Sequence, residues 1–318
     1  MDSTVINSDF SSFLDTFPPS AGALTVLHVN IRSIKKYWDE FQLIVGALET
    51  AVDVFVLTEI NVRDVGVAQG QFSLLGCETF FLTRNDSRGG GIAVYVKNTW
   101  STVTLQIPFN YAECLSLKLC KNSFVVSLLA LYRPHSESVR NFLDELDTNL
   151  KNIVPTDNLC IVVDINIDLL KPSKSTVCDY LNILSNYGIE STIQAPTREE
   201  YFSDNLVISC LDHINIRNLG APNRSTVITQ KLADHYFVAC RLSFDVISEP
   251  VEQSQVTVID SRHFDRLISA YNWDSLIENC NYQEAYSKLA DILSNFKTMS
   301  TKIVNIKKTK KESAMGIY

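Results

Sequence analysis

An Asp-x-Asn-x-Asp run, Asp164-Ile165-Asn166-Ile167-Asp168, follows the apolar residues 160–163. On an extended chain, residues two apart point the same way. Asp164 and Asn166 are therefore expected to project together from the end of a buried strand. A carboxylate and an amide there can hold a water and a metal-bound phosphate, although the same pattern also serves as an ordinary strand exit. A calcium loop needs Gly at the sixth position and Glu at the twelfth; Leu169 and Ser175 stand there, which excludes it. Leu57-Thr58-Glu59 stands at the end of the strand expected over 52–57. A carboxylate in that place suits Mg²⁺, because hard cations prefer oxygen; a solvated strand terminus is the plainer alternative. Asp212-His213 and Asp234-His235 each open an apolar run. An imidazole at a buried strand start can donate to a phosphate oxygen, yet a lone His is more often a structural residue. Arg88-Gly89-Gly90-Gly91 lacks the Gly-Lys-Ser/Thr that completes a P-loop. Its glycines read as a tight turn, with Arg84 and Arg88 as a local basic rim.

These groups need strands to carry them. Strands are expected at 24–29, 52–58, 79–82, 92–96, 114–119, 124–131, 158–164, 213–216 and 236–244, from short apolar runs. Lys121-Asn122 reads as a hairpin turn between two of them. Helical spacing places Ile34, Tyr37, Trp38, Phe41, Ile44, Val45 and Leu48 on one face, and predicts further helices at 139–150 and 176–187. Many strands follow one another without a helix between them. That argues for an α/β fold of two mostly antiparallel sheets with helices packed outside, rather than a doubly wound parallel sheet. Residues 1–22 read as a flexible leader, 23–245 as one domain, and 246–318 as a linker, two helices (263–278 and 283–296) and a basic tail. The tail, 302–311, holds five lysines and no acid.

The 318 residues are 46% hydrophobic and 20% charged, enough to build a core. The net charge is −8, and residues 249–318 balance nine basic against nine acidic groups, so the excess lies before them. A wholly basic nucleic-acid coat protein is excluded. An acidic domain that handles nucleic acid needs a local basic rim or a metal ion. No apolar run approaches the roughly 18 residues of a membrane span. Eight scattered cysteines without a Cys-x-x-Cys pair read as reduced thiols rather than a zinc site.

Seven motifs then stand in order: His28-Val29-Asn30-Ile31-Arg32-Ser33, Leu57-Thr58-Glu59, Arg88-Gly89-Gly90-Gly91-Ile92-Ala93-Val94-Tyr95, Leu131-Tyr132-Arg133-Pro134, Asp164-Ile165-Asn166-Ile167-Asp168, Leu211-Asp212-His213-Ile214 and Asp234-His235-Tyr236. This order resembles the endonuclease/exonuclease/phosphatase superfamily, and more narrowly the apurinic-type endonuclease domain of non-LTR retrotransposons. The segment after it, with Trp273 and Ala285-Tyr286, resembles the linker that precedes reverse transcriptase in those elements; no reverse-transcriptase active-site motif is seen.

The resemblance implies a DNase I-like four-layer α/β/β/α sandwich with a helical C-terminal extension. It implies Glu59 as the main Mg²⁺ ligand (Mn²⁺ a substitute), with Asn30 close by and Asp234 completing the metal and water network. Asp164 would orient or deprotonate the attacking water, and Asn166 would hold Asp164 and the phosphate. Tyr132 would contact the scissile phosphate, and His235, oriented by Asp212, would stabilise developing charge. Arg32, Arg84, Arg88 and Arg133 would contact DNA. The implied activity is a DNA nick that leaves a 3′-hydroxyl to prime reverse transcription. The implied setting is intracellular and nuclear, with a reverse transcriptase supplied by a full-length element and no membrane. Two other readings keep the fold: an inactive remnant that only binds, and a phosphodiesterase or phosphatase with another substrate. Val163 and Ala233 stand where the family carries Gly and Ser. A branched Val163 is expected to crowd Asp164.

Overall fold

The computed structural model describes residues 4–84, 89–154, 157–202, 205–218, 223–244, 255–274 and 282–305. The chain divides into two compact units, Met1–Val246 and Ile247–Tyr318.

In the first unit the elements run β1 (Val5–Asn7), α1 (Phe10–Thr16), β2 (Ala23–Asn30), α2 (Ile34–Leu48), β3 (Val54–Thr58), α3 (Val65–Gln71), β4 (Cys77–Leu82), β5 (Ile92–Lys97), β6 (Ser101–Leu105), β7 (Glu113–Lys121), β8 (Phe124–Tyr132), α4 (Val139–Lys151), β9 (Asn158–Asp164), α5 (Ser175–Asn186), β10 (Glu190–Ser191), β11 (Arg198–Phe202), β12 (Asn205–Ser209), β13 (Asp212–Arg217), β14 (Asn223–Lys231) and β15 (Tyr236–Ser243). One sheet has the order β1-β14-β15-β2-β3-β5-β4 and the other β10-β13-β9-β8-β7-β6. Most pairs are antiparallel; β1 with β14, β2 with β3, and β8 with β9 are parallel.

Alternation along each strand sorts the side chains into three apolar layers. On β2, Leu24 and Val26 enter the core between the sheets with Val162 and Val238. Leu27 and Val29 face the other way, with Phe41 of α2 and Phe13 of α1. Beyond the second sheet, Leu131, Ile161 and Val163 pack with Phe142, Leu146, Tyr180 and Leu184 of α4 and α5. The result is an α/β/β/α sandwich. Asn122, at φ 55, stands in the two-residue loop of the β7–β8 hairpin, where Lys121 pairs with Phe124.

Several expectations are corrected. The leader is ordered from residue 4 onward: β1 adds an edge strand beside β14, and Phe13 and Phe17 are fully buried. Phe10, Phe13 and Phe17 recur at helical spacing, so α1 presents an apolar stripe that the core takes up. Helix α3 and strands β6, β10, β11, β12 and β14 were not expected. Most are short or expose their apolar residues, as Leu206, Val207 and Ile208 of β12 are exposed, while the nine residues of β14 hold just two apolar side chains, the buried Val227 and Ile228. Val163 sits in the helix-side layer, on the face of β9 opposite Asp164, and does not crowd it.

The second unit holds β16 (Gln255–Ile259), α6 (Ser261–Ala270), α7 (Tyr282–Met299) and β17 (Thr301–Asn305). Residues 255–257, expected as linker, and Lys302, expected as tail, belong instead to the antiparallel pair β16–β17. Helix α6 stops at Ala270, before the expected 278, because Tyr271 turns extended. Tyr271 and Trp273 stack near Phe296. Residues 85–88 of the turn at 84–91, Arg88 among them, residues 275–278 and the lysines after 305 lie outside the described residues. Among the described residues no helix is long and apolar enough to cross a membrane. The seven described cysteines are unpaired.

Candidate active site

The register of the second sheet builds half of the site. Glu113 of β7 pairs with Tyr132 of β8, Tyr132 with Asp164 of β9, and Asp164 with Asp212 of β13. Four neighbouring strands therefore place these four residues in one transverse row at the rim. The first sheet supplies the other half. Asn30 ends β2 beside Thr58 at the end of β3, Glu59 follows Thr58, and His235 immediately precedes β15. Thr197 joins the halves: its hydroxyl accepts the Leu211 and Asp212 amides at 3.0 and 3.1 Å, and its carbonyl accepts the Tyr236 amide at 2.7 Å.

At the centre, Asn30 Nδ2 donates to Glu59 Oε1 at 2.8 Å and to Asp164 Oδ2 at 2.7 Å. The Tyr132 hydroxyl donates to Glu59 Oε1 at 3.1 Å. His235 Nδ1 lies 2.7 Å from Asp212 Oδ2. Asp234 receives Arg32 Nε at 2.9 Å on Oδ1 and Arg32 Nη2 at 2.5 Å on Oδ2, while Arg198 reaches Oδ2 with Nε at 3.2 Å. Asn166 does not follow Asp164 along an extended chain. It sits at φ 56, so the strand direction ends at Asp164, and its amide donates to the Arg133 carbonyl at 2.9 Å. Arg133, expected on DNA, is 2% exposed, and its guanidinium donates to the carbonyls of Ile165, Pro134 and Glu137. It braces the loop after β9 and has no surface left for a phosphate. Arg84 lies at the rim, with Nε 3.1 Å from Glu113 Oε1. Arg32, Glu59, Arg63 and Arg84 line a cavity of about 500 Å³ that also touches Gly89.

The glycines beside that cavity are a spatial requirement. Gly91 has φ 86, and a Cβ there would stand 2.7 Å from the Ile60 side chain and 3.1 Å from the Leu82 carbonyl. Its amide donates to Glu113 Oε2 at 2.5 Å. Of the five described non-Gly residues at positive φ, Arg32, Glu59, Asn61 and Asn166 border the site. Such backbone costs on the order of 1–3 kcal/mol per residue and persists where the surroundings over-determine it.

His28 is a member of the site that was quoted in a motif but given no role. It is fully buried, with Nε2 3.2 Å from Asp212 Oδ1 and Nδ1 3.2 Å from the Val56 carbonyl. Asp212 thus stands between two imidazoles. The signal was a polar ring within the otherwise apolar run 24–29. His213, by contrast, points to the opposite face of β13. It is fully buried near the Cys210 carbonyl and the Tyr180 hydroxyl, and burial lowers its pKa to about 4.

Burial, then the Asp212 charge, pushes Asp164 up to about 6. Burial also works against an Asp212 carboxylate, yet the His235 charge and the hydrogen bonds from His235 and His28 carry it well below the usual carboxylate range. Burial disfavours a charged His235, but Asp212 outweighs it and raises the imidazole to about 9. Burial raises Asp234 too, and the Arg32 hydrogen bonds overcome this to hold it near about 2. Burial lifts Glu113 to about 7 despite the Gly91 amide and Arg84.

Two observations suit a hard cation. Glu59 and Asp234 both face one positive group, the Arg32 guanidinium, with Nη1 4.0 Å from Glu59 Oε2. Asp164 Oδ1 is buried without a hydrogen-bond partner among the described residues. Donor atoms of Asp164, Asp212 and His235 also lie within 4.8 Å of one another. Oxygen donors of this kind are what hard divalent ions bind.

No family model matches the chain, and no curated protein matches it. Solved structures do. The endonuclease domain of TRAS1, a telomere-specific non-LTR retrotransposon, aligns with a TM-score of 0.52 at 13% identity, covering 71% of this chain and 100% of that one. An AP endonuclease from Leishmania major, LMAP, aligns with a TM-score of 0.59 at 13% identity, covering 76% and 92%. TDP2 of D. rerio, complexed with a single-strand DNA product, aligns with a TM-score of 0.50 at 12% identity, covering 69% and 98%. This chain thus shares the fold of these solved structures over about seven tenths of its length.

Proposed function

We propose that the first unit is a metal-dependent phosphodiester hydrolase that nicks one DNA strand and leaves a 3′-hydroxyl, as an endonuclease of a non-LTR retrotransposon does. The observation that carries this reading is the buried Asp212–His235 pair, 2.7 Å apart, in the same cluster as an Asp164 oxygen without a hydrogen-bond partner among the described residues. The fold likeness to the TRAS1 endonuclease domain and to LMAP supports it.

Mg²⁺, with Mn²⁺ as a substitute, is the cation proposed, and Glu59 would hold it together with Asp234. When bound, it supplies positive charge to the phosphate oxygens. Asp164 takes a proton from the attacking water through its unpartnered Oδ1. The new P–O bond forms as the bond between phosphorus and the 3′-oxygen breaks, which leaves a 5′-phosphate and a 3′-oxyanion that takes a proton from solvent water to become the 3′-hydroxyl. His235, kept charged and oriented by Asp212, donates to the oxygen on which negative charge grows. The Tyr132 hydroxyl and Arg32 hold the phosphate. The Arg32 and Arg84 rim lets an acidic unit approach DNA. A reverse transcriptase from a full-length element and a nuclear setting complete the proposal.

The test is relaxation of supercoiled plasmid with Mg²⁺ or with a chelator, followed by primer extension from the nick. Mg²⁺-dependent nicks that a polymerase extends directly are expected. Cleavage that leaves a blocked 3′ end removes the 3′-hydroxyl assignment. No cleavage, with tight DNA binding retained, supports the binding-only remnant instead. TDP2, solved with a single-strand DNA product, favours a phosphodiesterase with another substrate as the second reading; hydrolysis of linear single-stranded DNA without plasmid nicking selects it.

A further inference from the structure

We propose that Arg32 is a built-in counter-cation that occupies the place of the divalent ion, so that the ion binds only by displacing its guanidinium. This rests on the reading of Glu59 and Asp234 as the cation's ligands. The guanidinium lies where their oxygens converge: Nε is 2.9 Å from Asp234 Oδ1, Nη2 is 2.5 Å from Asp234 Oδ2, and Nη1 is 4.0 Å from Glu59 Oε2. A cation and a guanidinium competing for the same carboxylate oxygens exclude one another, because they need the same space and their repulsion at a few ångströms persists even with partial solvent screening.

The local backbone aims this side chain. Arg32 sits at φ 60, a conformation that L residues rarely adopt. It is pinned from both sides: its amide donates to Asn30 Oδ1 at 3.0 Å, and its carbonyl accepts from Asn61 Nδ2 at 2.6 Å. Asn30 and Glu59, which the ion would meet, thus lie in the same network that holds the arginine. The side chain is 44% exposed, so it has room to swing outward.

Arg198 marks the difference between a ligand cage and a permanent ion pair. It reaches only Asp234 Oδ2 and is also paired with Glu200 at 2.9 Å. Among the described residues, Arg32 Nε is the sole hydrogen-bond donor to Asp234 Oδ1. Withdrawal of Arg32 therefore frees Asp234 Oδ1 and the uncoordinated Glu59 Oε2 together, while Arg198 keeps Asp234 in place. A DNA phosphate has the geometry to draw the fork of Arg32 outward, which would release the cage at the moment substrate arrives.

The test measures Mn²⁺ affinity of the DNA-free protein by titration calorimetry and by loss of the free-ion electron paramagnetic resonance signal. Three chains are compared: wild type, Arg32→Gln, and Arg63→Gln. Arg63 lines the same cavity and bonds neither carboxylate among the described contacts, so it reports the general field. Arg32→Gln is expected to bind Mn²⁺ at least roughly tenfold more tightly than wild type, and Arg63→Gln within about threefold of wild type. Circular dichroism and a thermal melt on each chain verify that the fold is kept. Equal affinities for wild type and Arg32→Gln overturn the inference and leave the ligand assignment standing. Equal tightening by both substitutions overturns it in favour of a general charge effect. Absence of Mn²⁺ binding in all three overturns the inference together with the assignment of Glu59 and Asp234.

Discussion

At the scale of single residues, this site is governed by which face of a strand each group occupies. Asp212 and His213 are neighbours in sequence, yet one enters the site and the other a buried pocket beside Tyr180. Val163 and Asp164 divide in the same way. Val163 is 1% exposed in the layer under α4 and α5. Val163→Gly should therefore act on stability, with a loss of about 2–4 kcal/mol from the cavity and the added chain freedom. Turnover on saturating plasmid at low temperature should stay near wild type. Denaturant unfolding beside a nicking assay separates the two. Faster nicking at unchanged stability would instead place Val163 against Asp164.

At the scale of elements, the N-terminal segment shows how packing overrides a polar composition. The first 22 residues are rich in Ser and Asp, but Phe10 and Phe13 of α1 and Phe17 at its C-terminal end enter the helix-side core, and β1 extends the sheet. Asn7 Nδ2 also donates to Thr226 Oγ1 at 2.8 Å, fastening the edge strand. Phe13 is fully buried. Phe13→Ala should cost about 3–5 kcal/mol, seen as a lower midpoint in urea with an unchanged slope. A loose leader would show almost no change, so a midpoint equal to wild type removes α1 from the core.

At the scale of the whole molecule, two sheets from distant parts of the chain bring an imidazole and two carboxylates into one buried cluster, and pH dependence follows. His235 is raised from about 6.5 to about 9. Its contribution is fully present below the unfolded value and is lost as pH rises through the folded one. Stability should thus fall between about pH 6.5 and 9, by at most roughly 3 kcal/mol, and nicking should fall on the same alkaline limb. Asp212 is the chief group raising His235. Asp212→Asn should therefore move the alkaline limb of nicking toward lower pH by more than one unit. Rate profiles from pH 6 to 10 for both chains check this; superimposable limbs would detach His235 from Asp212.

The sequence by itself determines the strands that lead to Asn30, Glu59, Tyr132 and Asp164, because a largely apolar run closed by a polar residue is a local pattern. Consecutive strands without helices between them likewise point to two mostly antiparallel sheets with helices outside, and the resemblance carried by the ordered motifs implies the four-layer α/β/β/α sandwich. Only the tertiary structure decides the partners. Asn30 meets Asp164 across 134 positions, and His28 meets Asp212 across 184. Neither contact leaves any periodic trace in the chain. Tertiary packing likewise turns Arg133 inward onto four carbonyls and leaves Arg32 at the rim. The two arginines read alike in sequence. They part because buried carbonyls at the end of β9 need donors, while the carboxylates Glu59 and Asp234 need a positive charge.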